Sequence, residues 1–152
     1  MGPEAKFYQQ IKRNFKSLSL IRNENNSLLG TPDLLVCNTS GNFCTIELKV
    51  TKGNKIRFSP HQIAFHIKHP HNTFIMVKAL GPLPLKTFSI SMYRGSRITK
   101  LVACGVKRDA CYSGLDACRL RPGPERTPLS PRVELAWLIV WSSLLRSLRN
   151  SL

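Results

Sequence analysis

Two hydrophobic periods alternate along the first hundred residues of this 152-residue chain, and each change of period marks an element. Phe7, Ile11 and Phe15 recur every four residues, which makes one buried stripe of a helix predicted from about Pro3 to Lys16. A strand is predicted near Leu18 to Arg22. The polar run Asn23 to Asn26, with Ser27 and Gly30, reads as a loop leading into the short apolar strand Leu34-Leu35-Val36. Pro32 removes a backbone donor, which suits a strand start or edge, and Gly30 frees the turn before it. Ser40-Gly41 then turns this strand into the next. That next strand alternates with period two: Cys44, Ile46, Leu48 and Val50 fall on one face, and Phe43, Thr45, Glu47 and Lys49 on the other.

The second helix is signed at its start. Ser59 is the expected N-cap, Pro60 occupies the first helical position, Gln62 completes a capping box, and Phe58 with Ile63 can staple the entry. Ile63, Ala64 and Ile67 are expected to face the sheet, with Gln62, His66 and His69 on the opposite side, before His69-Pro70 ends the helix. Thr73 to Lys78 reads as a buried strand and Phe88 to Met92 as a half-exposed one, joined through Gly81, Pro82 and Pro84. After Gly95, Ser96 is expected to cap a short helix carrying Ile98, Leu101 and Val102 to Gly105. The order is αβββαβ with a further strand. An α/β fold follows, with a mixed central sheet flanked by helices and room for a right-handed crossover.

Chemistry enters through the polar face of the third strand. Glu47 and Lys49 point the same way, which is costly for a core strand and sensible for a cleft. Asp33 lies fourteen residues before Glu47 and reaches the same place from the preceding strand. Two carboxylates, a backbone carbonyl and a substrate phosphate are the hard oxygen ligands that Mg²⁺ takes, with Mn²⁺ as its usual substitute. Lys49 beside them can position or deprotonate a water, or neutralise charge on a phosphate. An E-x-K triplet alone is common on exposed strands and Pro-Asp alone is a frequent turn; the weight lies in their combination and in the order of the flanking elements.

At these residues the chain resembles the PD-(D/E)XK nuclease superfamily, through Pro32-Asp33 and Glu47-Leu48-Lys49. Within it the chain is similar to the small VRR-NUC and Holliday-junction-resolvase-like group, especially short phage-type nucleases with a Ser-Pro-His-Gln segment after the lysine, here Ser59-Pro60-His61-Gln62. The resemblance covers roughly residues 1–104. It implies a restriction-endonuclease-like core, a metal-binding carbonyl from Leu48, an acid on the first helix matched by Glu4, and a glutamine near the site matched by Gln62. Glu4 also has a simpler explanation, since a helix macrodipole favours an acid in the first turn. The implied activity is Mg²⁺-dependent hydrolysis of DNA phosphodiesters, with Asp33, Glu47, Lys49 and Gln62 as catalytic residues and Asp33, Glu47, Leu48 and Glu4 around the metal. Junction-like DNA and a homodimer follow by the same analogy. A homing or restriction-type duplex endonuclease and a non-catalytic DNA-binding protein are the alternatives.

Net charge modifies this picture by adding a footprint. The chain carries +15 at a sequence pI of about 10.3, and residues 48–108 hold twelve Lys or Arg with no acid before Asp109. That asymmetry is the outline of a phosphate-binding surface. Lys52, Lys55, Arg57, His61, His66 and Lys68 are its expected nucleic-acid contacts. The histidines at 61, 66, 69 and 71 lack the cysteines and recurring short spacings of structural zinc, so solvent or phosphate contact is the expectation.

The C-terminal third changes character. Ala-Cys pairs recur every seven residues at 103–104, 110–111 and 117–118, and the five cysteines without a secretion signal read as reduced packing residues rather than a disulfide framework. Residues 1–118 contain eleven Lys and six Arg, whereas 119–152 contain six Arg and no Lys. The expected organisation is a nuclease domain over 1–104, a Cys-containing segment over 105–121, and a Pro-rich linker with an apolar tail over 122–152, outside the core. The run Leu135 to Trp141 is too short to span a bilayer; a packing helix, an oligomer contact and a reading-frame accident are its open readings. No membrane partner and a cytoplasmic location, in the host cell for a phage-encoded protein, complete the expectation.

Overall fold

The computed structural model describes residues 1–16, 18–23, 29–37, 41–81 and 88–106, together with the backbone of 117–120. Helix α1 spans Pro3–Asn14, followed by β1 (Ser19–Arg22), β2 (Leu34–Cys37) and β3 (Phe43–Thr51). Helix α2 (Pro60–Lys68), β4 (Thr73–Leu80), β5 (Phe88–Arg94), a 3-10 turn at Gly95–Arg97, α3 (Ile98–Cys104) and β6 (Ala117–Leu120) complete the order. The segment readings for 122–152, the boundary near residue 121 and the cysteine repeat beyond Cys104 lie outside the described side chains.

The strands lie side by side in chain order, β1 to β6. Only β3 and β4 are parallel, with Thr45 opposite Thr73 and Thr51 opposite Ala79; every other pair is antiparallel. A parallel pair needs a crossover, and α2 provides it: the chain leaves the C-terminal end of β3, runs back along α2 and enters β4 at the opposite end. The mixed α/β sheet read from the sequence is thus present, extended by the short edge strand β6, which no sequence signal indicated.

Each face of the sheet has its own core. Phe7, Tyr8 and Ile11 of α1 pack on Leu34, Val36, Cys44, Ile46, Leu48, Phe74 and Met76, with Phe88, Ile90 and Met92 from β5. On the second face Ile56, Ile75, Val77 and Tyr93 pack with Ile98 and Leu101 of α3. Period-two alternation delivers both sets, since Ile46 and Leu48 go one way with their partners Phe74 and Met76, and Ile75 and Val77 go the other way with their partners Glu47 and Lys49. Among the described residues no helix is long and apolar enough to cross a membrane.

Three local expectations need correction. Helix α2 does not present Ala64 and Ile67 to the sheet: Ile67 is 57% exposed, whereas Gln62 and Ile63 turn inward and His66 is fully buried. The reason lies beneath it, where β3 offers Thr45, Glu47 and Lys49 rather than an apolar surface, so the helix turns polar side chains toward them. Strand β5 is covered on both sides and Ser91 is buried, because α3 folds back over its second face. Ser96 caps nothing: Gly95 is wedged against Thr73 and His66, the chain leaves β5 through the 3-10 turn, and α3 starts at Ile98 with no side-chain cap.

Candidate active site

The β2–β3 ladder ends at Leu34 opposite Ile46, and β3 continues past that point. Asp33 takes over where the ladder stops. Its Oδ2 accepts a hydrogen bond from the Leu48 backbone N–H at 2.8 Å, so a carboxylate satisfies a strand donor and is fixed beside the next two residues of β3. Gly30 permits the approach of this loop: its φ is +85°, and a Cβ there would stand 2.4 Å from the His61 carbonyl oxygen, so the loop before Asp33 packs against the start of α2.

Glu47 is 0% exposed and lies under α2. Lys49 Nζ is 2.9 Å from Glu47 Oε1 and 3.9 Å from Glu4 Oε1 on α1. The same Glu47 oxygen accepts from Gln62 Nε2. At its other end Gln62 accepts the Ser59 backbone N–H on Oε1 at 3.0 Å, while the Ser59 hydroxyl accepts the Gln62 N–H at 3.2 Å. The capping box foreseen from the sequence therefore orients the carboxamide, leaving its NH₂ no choice but the site. The Phe58 ring lies 5.7 Å from Lys49 Nζ and backs the ammonium.

The electrostatics bind these groups into one unit. Burial raises the Glu47 carboxyl to about 7, with Asp33 and Glu4 pushing the same way and Lys49 opposing through its charge and its hydrogen bond. Asp33 is also raised, chiefly by burial, against the lowering effects of the Leu48 N–H, Lys49 and Arg22. Glu4 is raised by burial and Asp33 and lowered by Lys49. Three carboxyls, each held above its ordinary value chiefly by burial, thus share a single lysine.

The donor set fits a hard divalent ion. Glu47 Oε2 is buried with no hydrogen-bond partner among the described residues, Asp33 has its second oxygen in hand, and the Leu48 carbonyl is the neighbouring backbone acceptor. Among the described residues no group of three or more His, Cys, Asp or Glu is placed to hold a metal ion, and Glu4, half-exposed on α1, meets this set through Lys49 at 3.9 Å.

The expected nucleic-acid contacts divide. Lys52, Lys55, Arg57 and His61 are exposed at the site end, where β3 ends and α2 begins. The loop carrying Lys52 and Lys55 is ordered from within, since the Thr51 hydroxyl donates toward the Gly53 and Lys55 carbonyls and accepts the Gly53 N–H. It is braced from outside by the Val106 N–H donating to Asn54 O at 2.7 Å. Lys68 is exposed at the other end of α2. His66 is not a surface contact at all: it is fully buried, both ring nitrogens lack a hydrogen-bond partner among the described residues, and burial with the Lys49 charge lowers it to about 4. Sequence reasoning missed the residues that make this possible. A Cβ on Gly95 would sit 1.9 Å from Thr73 Oγ1 and 2.8 Å from His66 Nδ1, and only a glycine directly after a strand hinted at so close an approach. Compared with known proteins, the chain matches no protein-family model and no curated protein.

Proposed function

We propose that the chain is a metal-dependent endodeoxyribonuclease that hydrolyses DNA phosphodiester bonds. The observation that carries this reading is the contact of Lys49 with Glu47 at 2.9 Å beside an Asp33 carboxylate anchored on the Leu48 N–H. Asp33, Glu47 and the Leu48 carbonyl would hold Mg²⁺ or Mn²⁺, with Glu4 at the margin. A bound divalent ion supplies Lewis acidity and a more acidic water. The chain's own residues do the rest. Glu47 ionises at the cost of burial, Lys49 offsets that charge and offers its remaining donors to a water or a phosphate oxygen, and Gln62 keeps Glu47 Oε1 turned toward the lysine. Phe58 and α2 shield this layer from bulk water, which strengthens each contact.

Lys52, Lys55, Arg57 and His61 give the DNA backbone a place to lie at the mouth of the site. Structure-specific cutting of junctions by a homodimer belongs to the same proposal, because two strands or arms call for two sites. The alternative of a DNA-binding protein without cleavage is favoured by a lysine remote from the acids, and Lys49 is not remote. The deciding assay is incubation of the full chain with labelled four-way junction, flap, single strand and duplex in Mg²⁺. Cleavage abolished by EDTA and by Asp33→Asn supports the proposal; binding without cleavage of any of the four, in Mg²⁺ or Mn²⁺, sinks it.

A further inference from the structure

A second group of cations lies at the opposite end of α2 from the site. The connection through α2 places Lys68 and His69 beside the start of β4, and β5 ends there too, with Arg94 opposite Phe74 and so on the α1 face of the sheet rather than on the α2–α3 face. The 3-10 turn follows at once with Arg97, and Lys100 occupies the first turn of α3. Lys68, His69, His71, Arg94 and Lys100 are exposed and Arg97 is half-exposed. Helix α3 then returns to the site end, where Gly105 meets Asn54 in the basic loop. Helices α2 and α3 thus run antiparallel between two basic ends, and neither contributes an acidic residue.

We propose that this far end is a second anchor for the DNA backbone, so that one bound duplex leaves the site mouth and lies along the α2–α3 layer. The inference rests on the nuclease reading for the location of the cut, but its binding surface stands on the charge distribution alone. Its dimensions suit the backbone of DNA. The nine residues of α2 cover about 13 Å at 1.5 Å per residue. One DNA strand presents a phosphate about every 3.4 Å of axis, so the two basic ends are about four phosphates apart. A solvated face would mix signs along this length, whereas residues 48–108 hold twelve cations and no acid, so no negative side chain of α2 or α3 intervenes between the two basic ends. The fold also fixes the spacing, since both ends are tied to strands of one sheet.

The test is fluorescence anisotropy with a labelled duplex of about 20 base pairs, in EDTA, across a salt series. Four proteins are compared: the full chain, a far-end variant (Lys68→Gln, Arg97→Gln, Lys100→Gln), a site-end variant (Lys52→Gln, Lys55→Gln, Arg57→Gln) and the combination of both. The far-end variant should weaken binding by about tenfold or more at low salt and lower the log-log salt slope by about two to three, near 0.9 for each lost phosphate contact. Losses in the two variants should add in log K when all six changes are combined, with one duplex per chain throughout. An unchanged slope in the far-end variant overturns the anchor, as does a stoichiometry of two duplexes per chain. Loss of binding to vesicles of anionic phospholipid with DNA affinity intact also overturns it, in favour of a membrane surface. Because EDTA removes cleavage from the readout, an inactive protein that passes this test would refute the nuclease reading and leave the anchor standing.

Discussion

Gln62 grips Glu47 with its amide NH₂ while its carboxamide oxygen is held by the Ser59 backbone N–H, so one side chain both caps α2 and points an acid at Lys49. The two roles separate by substitution. Gln62→Glu keeps an oxygen for the Ser59 N–H but sets a second carboxyl against Glu47, and two carboxyls at that range cannot both ionise. Its stability should match the parent near pH 5 and fall below it near pH 8. Gln62→Ala loses the cap and the hydrogen bond together and should cost about 1–3 kcal/mol at both pH values. Urea denaturation at the two pH values distinguishes them, and a pH-independent loss in Gln62→Glu would show that its amide does not control Glu47.

Asp33→Asn should abolish cleavage while leaving the fold intact. The asparagine oxygen can still accept the Leu48 N–H, so the anchor survives and only the charge is lost. DNA binding without metal should hold or tighten, since one repulsive carboxylate leaves an anion-binding cleft. Lys49→Ala should also lower the cleavage rate by orders of magnitude, but with a different metal signature. Lys49 is what holds the Glu47 carboxyl down against burial, so its removal moves metal binding to higher pH rather than eliminating it. Calorimetric Mn²⁺ titrations between pH 6 and 9, beside single-turnover kinetics, read both effects. Full activity in either variant would remove that residue from the site.

Local chemistry made the capping box at Ser59, the alternation of β3 and the pairing of Glu47 with Lys49 legible, because each is written within a few adjacent residues. What the sequence hid was set by distant partners. The bond from Leu48 N–H to Asp33 depends on where the β2–β3 ladder stops, and no residue type announces that. The inward turn of Gln62 and His66 inverted an apolar-inside expectation because the surface to be covered, β3, is itself polar. His66 looked like a surface histidine until Gly95 and Thr73 closed around it. Charge counting found the basic surface but not its division into two ends, which only the crossover through α2 creates.

Glu47 and His66 should affect stability with opposite signs over nearly the same pH range. Glu47 is raised to about 7 in the fold from 4.5, so its favourable contribution is complete below pH 4.5 and disappears as pH rises through 7, an effect of about 3 kcal/mol. His66 is lowered to about 4 from 6.5, so its contribution is complete above pH 6.5 and disappears as pH falls through 4. The intact chain should therefore show a shallow dependence between pH 4.5 and 6.5. Glu47→Gln should unmask a loss of stability toward acid, and His66→Asn a loss toward neutral pH. Chemical denaturation at half-unit pH steps checks this, and parallel curves for all three proteins would mean that neither group is buried in solution.

Gly105 should matter to DNA binding without carrying any charge. Its φ is +67°, and a Cβ there would stand 1.9 Å from the Asn54 carbonyl oxygen and 2.7 Å from its carbon, both backbone atoms that cannot swing away. Gly105→Ala therefore has to push the basic loop off the end of α3 and break the bond from Val106 N–H to Asn54 O. A loss of about 1–3 kcal/mol is expected from the strained φ and the lost contact. The loop keeps its internal bonds through Thr51, so Lys52 and Lys55 remain charged and present but no longer fixed in position. DNA affinity at low salt should fall several-fold while the salt slope stays near that of the parent, because the phosphate contacts can still form at an added ordering cost. Thr51→Val, which loosens the same loop from inside, should reproduce the affinity loss with a smaller effect on stability. A Gly105→Ala protein that is destabilised yet binds DNA with parental affinity would show that the loop works equally well unbraced, and that α3 supports the fold rather than the footprint.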